Sequence, residues 1–170
     1  MATTKIQAAP QTAKRSFSAG SVISAIGRWI VRNRIYLIAF AIPAVLTYLA
    51  YALFGLYPFG EESVLCLDLN GQYVYYFEAL RDAFWGDGSI FYNWSRNLSG
   101  EFMGIIGYYL ASPFTLIVML LPEKFMLSSL LIMQLCKLGA AGATFNYFLQ
   151  KRRGVQPYPS LLFSTMYAMM

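Results

Sequence analysis

The hydrophobic positions of this chain fall in long uninterrupted runs, with little strand-like alternation. Ile35 to Leu56 is 22 residues without a charge, and Phe125 to Leu149 is 25 residues with a single charge, Lys137. Between them, Ile105 to Leu121 is 17 uncharged residues interrupted by Gly107 and Pro113. About 20 consecutive apolar residues cross the ~30 Å hydrocarbon core of a bilayer as a helix. Transmembrane helices are therefore expected over 35–57 and 125–149. Pro43 lies inside the first and is expected to kink it. A further apolar run, 160–170, is too short to cross and reads as the start of a third transmembrane helix. The chain is expected to be the N-terminal piece of a larger multi-pass protein.

The segment between the first two spans carries a different pattern. From Asp68 to Trp85 the apolar positions Tyr73, Tyr76, Phe77, Leu80 and Phe84 follow the i, i+3, i+4 spacing of one helix face. An amphipathic helix over 69–85 is expected, closed by Gly86-Asp87-Gly88. Its tyrosines, phenylalanines and tryptophan suit the headgroup layer of a membrane.

Charge orients this plan. Residues 1–34 hold six basic residues and no acid, residues 58–104 hold seven acids against Arg81 and Arg96, and residues 151–153 read Lys-Arg-Arg. Basic flanks favour the cytoplasm, so 1–34 is expected to be a cytoplasmic tail, 58–124 an external loop and 150–159 a cytoplasmic loop. If 105–121 also crossed, Lys151-Arg152-Arg153 would end outside. A juxtamembrane or re-entrant element is therefore preferred over two full spans joined by Pro122-Glu123-Lys124. The predicted architecture is an all-α, multi-pass membrane protein.

Composition agrees. Of the 170 residues, 58% are hydrophobic, 17% aromatic and 12% charged, with a mean hydropathy of +0.49. Soluble domains carry about 25% charged residues, so lipid is the expected partner for much of the surface. The net charge of +5 is topological in its distribution and implies no nucleic acid. Histidine is absent and there are two cysteines, Cys66 and Cys136. That excludes histidine bases and histidine metal sites within this chain, and offers no disulfide framework. Phosphate loops, nucleophile elbows and zinc-protease motifs are also absent.

Candidate chemistry gathers in the external segment. Asp68 stands just beyond the first span with Gln72 four residues later, on the same face of a helix. A partly desolvated carboxylate there is able to take a proton from an attacking hydroxyl; equally, Asp68 or Asn70 suits the N-cap of the amphipathic helix. Glu101, in a glycine-punctuated stretch, is a candidate for sugar hydroxyls, for a divalent metal shared with Asp68, or for a solvated loop acid. Asn93-Trp94-Ser95 and Asn97-Leu98-Ser99 match the glycosylation sequon. Lys137, about halfway along the second span, should face protein or an aqueous cavity and is a candidate for a lipid phosphate or a carboxylate partner. Gly139, Gly142 and Ala143 are a packing signal.

The run Asp68-Leu-Asn-Gly-Gln72-Tyr73, the stretch Tyr92-Asn-Trp-Ser, and Tyr109-Leu-Ala-Ser112-Pro113-Phe114 ahead of the Lys137 span together resemble the N-terminal part of YfhO-family bacterial membrane proteins. These look like GT-C fold glycosyltransferases, and the likeness covers most of 35–170. The resemblance implies juxtamembrane helices in the first external loop and transfer of a sugar from a polyprenyl-phosphate carrier to a cell-envelope polymer such as teichoic acid. It places the protein in the bacterial cell membrane and implies Asp68 as the catalytic carboxylate, with Glu101, Gln72 and Tyr73 as substrate contacts; Lys137 joins them as a substrate contact on its own position in the span. No cofactor is implied firmly, and a divalent metal stays open. For the departing phosphate, Arg81, Arg96 and Lys137 are the available cations. Trp85, Tyr92 and Trp94 either stack on sugar faces or anchor the loop. The alternatives are a lipid-linked-sugar flippase or transporter, and a non-catalytic membrane assembly subunit.

Overall fold

The computed structural model describes residues 19–94 and 100–170. Residues 1–18, Arg96 and the sequon positions Ser95, Asn97 and Ser99 lie outside the described residues. The chain divides into two compact units, 1–34 and 35–170. In the first, the described residues are helical, and Asn33 donates through Nδ2 to the Trp29 carbonyl at 2.8 Å, a local bond one turn back.

The fold is all-α, with one two-residue ribbon. Helix α1 covers Ala19–Leu53, so it begins well before the apolar run. Its extra turns, Ser21 to Arg34, combine helix-compatible arginines with Val, Ile and Trp and contain no proline, so the helix runs through Gly27, which weakens it by only about 1 kcal/mol. Pro43 is buried within α1. The helix ends in a Schellman motif. Gly55 takes the left-handed conformation (φ 64°), and the Leu56 N–H reaches back to the Tyr51 carbonyl at 2.9 Å.

A π-helical turn, Leu69–Tyr73, leads into α2, Val74–Trp85. Strands β1 (Tyr92–Asn93) and β2 (Gly100–Glu101) pair antiparallel, with Tyr92 opposite Glu101. The apolar stretch 105–121 is broken into pieces: α3 (Met103–Ile105), a second π-helical turn (Ile106–Leu110) and α4 (Thr115–Leu120). Pro113 removes a backbone donor at the break and restricts Ser112 before it. At ~1.5 Å per residue, none of these pieces approaches the ~30 Å of a bilayer core. Helices α5 (Met126–Arg153) and α6 (Pro157–Met169) follow, separated at Gly154, which is left-handed at φ 65°.

Two described helical stretches are long and apolar enough to cross a membrane, Val22–Leu53 and Glu123–Arg153. Between them a small core forms from Phe77 and Leu80 of α2, Phe102, Ile105 and Leu110, Val118 and Met119 of α4, and Leu130 and Met133 of α5. The broken segment is thus folded over α2 and the first turns of α5.

Within the second unit, α1 and α5 approach closely where α5 has glycine. A β-carbon at Gly142 would collide with the Ala39 carbonyl oxygen and come within 3.1 Å of the Pro43 ring, and one at Gly139 would meet the Phe40 ring at 2.8 Å. Between α5 and α6 lies a polar knot. Asn146, fully buried, donates through Nδ2 to Ser160 Oγ at 3.0 Å and Ser164 Oγ at 3.3 Å, while its Oδ1 accepts from Gln150 Nε2 at 2.5 Å. Both serines are also fully buried. Such small and polar contacts hold helices together where apolar contacts gain little over lipid.

Candidate functional site

Helix α2 organises the polar chemistry because its faces do different things. One face, with Phe77 and Leu80, is buried in the core. A second anchors α4. Arg81 donates through Nη1 to the carbonyls of Val118 at 2.7 Å, Met119 at 3.3 Å and Leu121, and Trp85 Nε1 donates to Met119 at 3.0 Å. These are the last carbonyls of α4, left without partners by the end of the helix and carrying the negative end of its dipole. Arg81, considered for a departing phosphate, thus spends Nη1 on holding α4 in place.

The third face is Tyr75, Glu78, Ala79 and Asp82, at i, i+3, i+4 and i+7. It forms one wall of a cavity of about 510 Å³. The Tyr92–Trp94 stretch forms another wall, and Phe102 and Ile105 contribute the apolar lining. Asp87, Gly88 and Ser89 complete the rim. There the chain folds back on α2, with the N–H groups of Gly86 and Gly88 both bonded to the Asp82 carbonyl at 3.0 Å. A β-carbon at Gly88 would stand 2.8 Å from the Ala83 nitrogen, so glycine permits this close return. Glu78 is half-buried, and its carboxyl is pushed above the ordinary glutamate range, first by burial and then by the nearby charges of Glu123 and Asp82.

Asp68 lies elsewhere on this segment. It is exposed and precedes the π-helical turn, where its side chain caps no backbone N–H. The N-cap role suggested by residue type is therefore not taken up by Asp68. A helix start that is already helical at the cap residue (φ −62°, ψ −30°) lacks the extended geometry that capping needs. Just before it, Leu67 is in the left-handed region at φ 48°, a costly conformation for a residue with a β-carbon. A tyrosine cluster stands nearby: Tyr109 meets Tyr73 edge-on at 5.1 Å, Tyr76 at 5.3 Å and Tyr108 at 4.5 Å between centroids. The Tyr109 hydroxyl is pushed above its ordinary range by burial first, then by these phenols and by the Asp68 carboxylate, which places Asp68 within electrostatic reach of the cluster.

Gln72 and Tyr73 are half-buried on the π-helical turn. Glu101 is exposed on β2, and its Oε1 accepts from the Gly104 backbone N–H, which ties the ribbon to α3. Lys137 is exposed on α5, on a part of that helix that the described helices leave uncovered, and makes no ion pair among the described residues. None of Asp68, Gln72, Tyr73, Glu101 and Lys137 lines the 510 Å³ cavity. Tyr76 belongs both to the cavity lining and to the tyrosine cluster beside Asp68. Among the described residues, no group of three or more acidic or cysteine side chains is placed to hold a metal ion.

The Glu78/Asp82 wall was not singled out from the sequence. A signal existed: Tyr75-x-x-Glu78-Ala79-x-x-Asp82 repeats helix spacing one step round from the apolar face.

Residues 39–170 match the family of the bacterial membrane protein YfhO. The chain belongs to the YfhO family. It is a membrane protein on that membership and on its two apolar helices. No curated protein and no solved structure matches it. Family membership covers α1 from Ala39 onward and every later element, so the cavity, the tyrosine cluster and Asp68 all belong to the YfhO-matching part.

Proposed function

We propose that this YfhO-family protein is a membrane glycosyltransferase that moves a sugar from a polyprenyl-phosphate donor to an extracytoplasmic cell-envelope acceptor such as teichoic acid. In this reading the protein is multi-pass with its N-terminus in the cytoplasm, and the segment between the two apolar helices faces outward. The carrier's polyprenyl tail dissolves only in lipid, so its reactive anomeric carbon sits at headgroup level, beside that segment. The observation that carries the reading is Asp68. It is an exposed carboxylate that caps nothing, set between a left-handed Leu67 and a π-helical turn, and both features recur at functional sites.

As base, Asp68 accepts the acceptor hydroxyl's proton as that oxygen bonds to the anomeric carbon. The bond from that carbon to the phosphate oxygen breaks, and polyprenyl phosphate leaves with its electron pair. Charge developing on the phosphate calls for a nearby cation. Arg81 is engaged with α4. Lys137, about halfway along α5, lies below headgroup level, so no described cation is assigned to this role and Lys137 is kept as a contact for the carrier within the membrane. Gln72, Tyr73 and Glu101 are assigned to sugar hydroxyls near Asp68.

The test compares full-length wild type with Asp68→Asn in membranes, following radiolabelled sugar from a polyprenyl-phosphate donor into the cell-envelope fraction. A positioned base contributes roughly 10²–10⁴-fold, so transfer should fall by about that factor at unchanged protein abundance. Full transfer by the variant would remove Asp68 from catalysis. Absence of transfer by wild type would favour a flippase for the same lipid-linked sugar.

A further inference from the structure

The 510 Å³ cavity of α2 lies outside the Asp68 group and has its own chemistry. Its volume falls within the roughly 300–1,000 Å³ of small-molecule sites. Three of its aromatic rings present surface to solvent: Tyr75 is 60% exposed, Tyr92 37% and Trp94 82%. Tyr92 and Trp94 meet edge-on at 4.8 Å, which leaves them as two differently inclined flat surfaces. The carboxylates of Glu78 and Asp82, on the same α2 face as Tyr75, and of Asp87 line the same cavity. Ionised carboxylates only accept hydrogen bonds, and their bonds to hydroxyl donors are the strong, charge-assisted kind. Among the described residues that line the cavity, none is basic.

Those features select a ligand by chemistry. Flat rings favour a partner with an apolar face, and acceptors in the same cavity favour one rich in hydroxyl donors. A negative wall repels phosphate and carboxylate. A pyranose ring has an apolar C–H face and a hydroxyl edge, and it satisfies all three conditions when it carries no anionic group.

We propose that this cavity is a binding site for an uncharged sugar ring, seated on Trp94 and Tyr92 and hydrogen-bonded by Glu78 and Asp82, that excludes sugar phosphates. That the cavity takes a sugar follows from its lining and does not rest on the transferase reading, whose donor carries a phosphate on its anomeric carbon and is not this ligand. Tyr76 lines this site and also belongs to the tyrosine cluster beside Asp68.

The experiment uses the full-length protein in lipid nanodiscs. Calorimetric titration and saturation-transfer NMR would measure binding of methyl glucoside, methyl N-acetylglucosaminide and glucose 1-phosphate. At least one methyl glycoside should bind, with glucose 1-phosphate weaker by about ten-fold or more, the equivalent of one charge repulsion of ~1.4 kcal/mol. Trp94→Ala should weaken the glycoside by about ten-fold, and Trp94→Phe should restore most of it. Asp82→Asn should weaken the glycoside and narrow its advantage over the phosphate.

No glycoside binding to wild type, equal binding of glucose 1-phosphate, or Trp94→Ala binding as wild type would each overturn the proposal. Thermal unfolding of each variant separates a lost site from a lost fold, and in the latter case the Trp94→Phe and Asp82→Asn results decide. Glycoside binding without sugar transfer would keep this site and remove the transferase, whereas transfer without glycoside binding would do the reverse.

Discussion

At the scale of single residues, burial and neighbouring charge decide what a side chain does more than its type. Glu78 shows this in its proton affinity. Its carboxyl is raised above 4.5 by burial, then by Glu123 and Asp82, so the folded protein holds that proton more tightly than the unfolded chain. The associated stability is fully present below pH 4.5 and is lost as pH rises through the folded value. Glu78→Gln stays neutral throughout. It should melt at the wild-type temperature in acid and above it at neutral pH, as read by thermal unfolding in detergent across a pH series. Equal midpoints at every pH would mean that Glu78 is not under this pressure. Asp68 makes the complementary point: a residue type favoured at helix caps is found capping nothing.

At the scale of elements, a few polar contacts do what continuous apolar faces cannot do in a short or lipid-facing helix. Helix α4 has six residues, too few to hold its own geometry, and the Arg81 and Trp85 donors tie down its last carbonyls. Hydrogen bonds from a charged donor contribute about 1.5–3 kcal/mol. Arg81→Met should therefore cost about that much stability and expose the Leu121–Lys124 stretch to limited proteolysis; an unchanged digestion pattern would show that α4 is held by its apolar side alone. The α5–α6 knot makes a similar prediction inside the helical pair. Asn146→Leu leaves Ser160 and Ser164 to bond only within α6, where they already donate to Pro157 and Leu161. A loss of about 0.6–2 kcal/mol is expected in unfolding from mixed micelles. Replacing Gly142 by Val should do more, because the Ala39 carbonyl and Pro43 leave no room for a side chain.

For the whole molecule the open quantity is orientation, and the two cysteines report on it. Cys66 is exposed in the segment between the apolar helices, and Cys136 is half-buried on α5. If that segment faces outward, a membrane-impermeant maleimide should label Cys66 on intact cells, and Cys66→Ser should remove the label from the peptide that carries this position. Labelling that appears only after permeabilisation would invert the topology and place Asp68 on the cytoplasmic side, away from an extracytoplasmic acceptor. The same experiment bears on the transferase reading without depending on the identity of the sugar.

Local pattern alone was enough for the gross plan. Apolar runs of spanning length, the helix spacing of Tyr73 to Phe84 and the glycines of α5 are nearest-neighbour properties, and each appears in the structure as a long helix, as α2 and as the α1–α5 contact. The breakage of 105–121 was foreshadowed by Pro113 and Gly107. The start of α1 at Ala19 was not, because a basic stretch without proline reads equally well as tail or helix until the backbone is seen. Tertiary structure decided how faces are shared out. Only the return of the 86–89 turn and the 92–94 stretch onto α2 makes Tyr75, Glu78 and Asp82 one wall of a cavity, and only the position of α4 turns Arg81 from a free cation into an anchor. Contacts between residues 20 to 40 positions apart depend on how chain segments meet in space, and a pattern of apolar positions along the chain carries no record of those meetings.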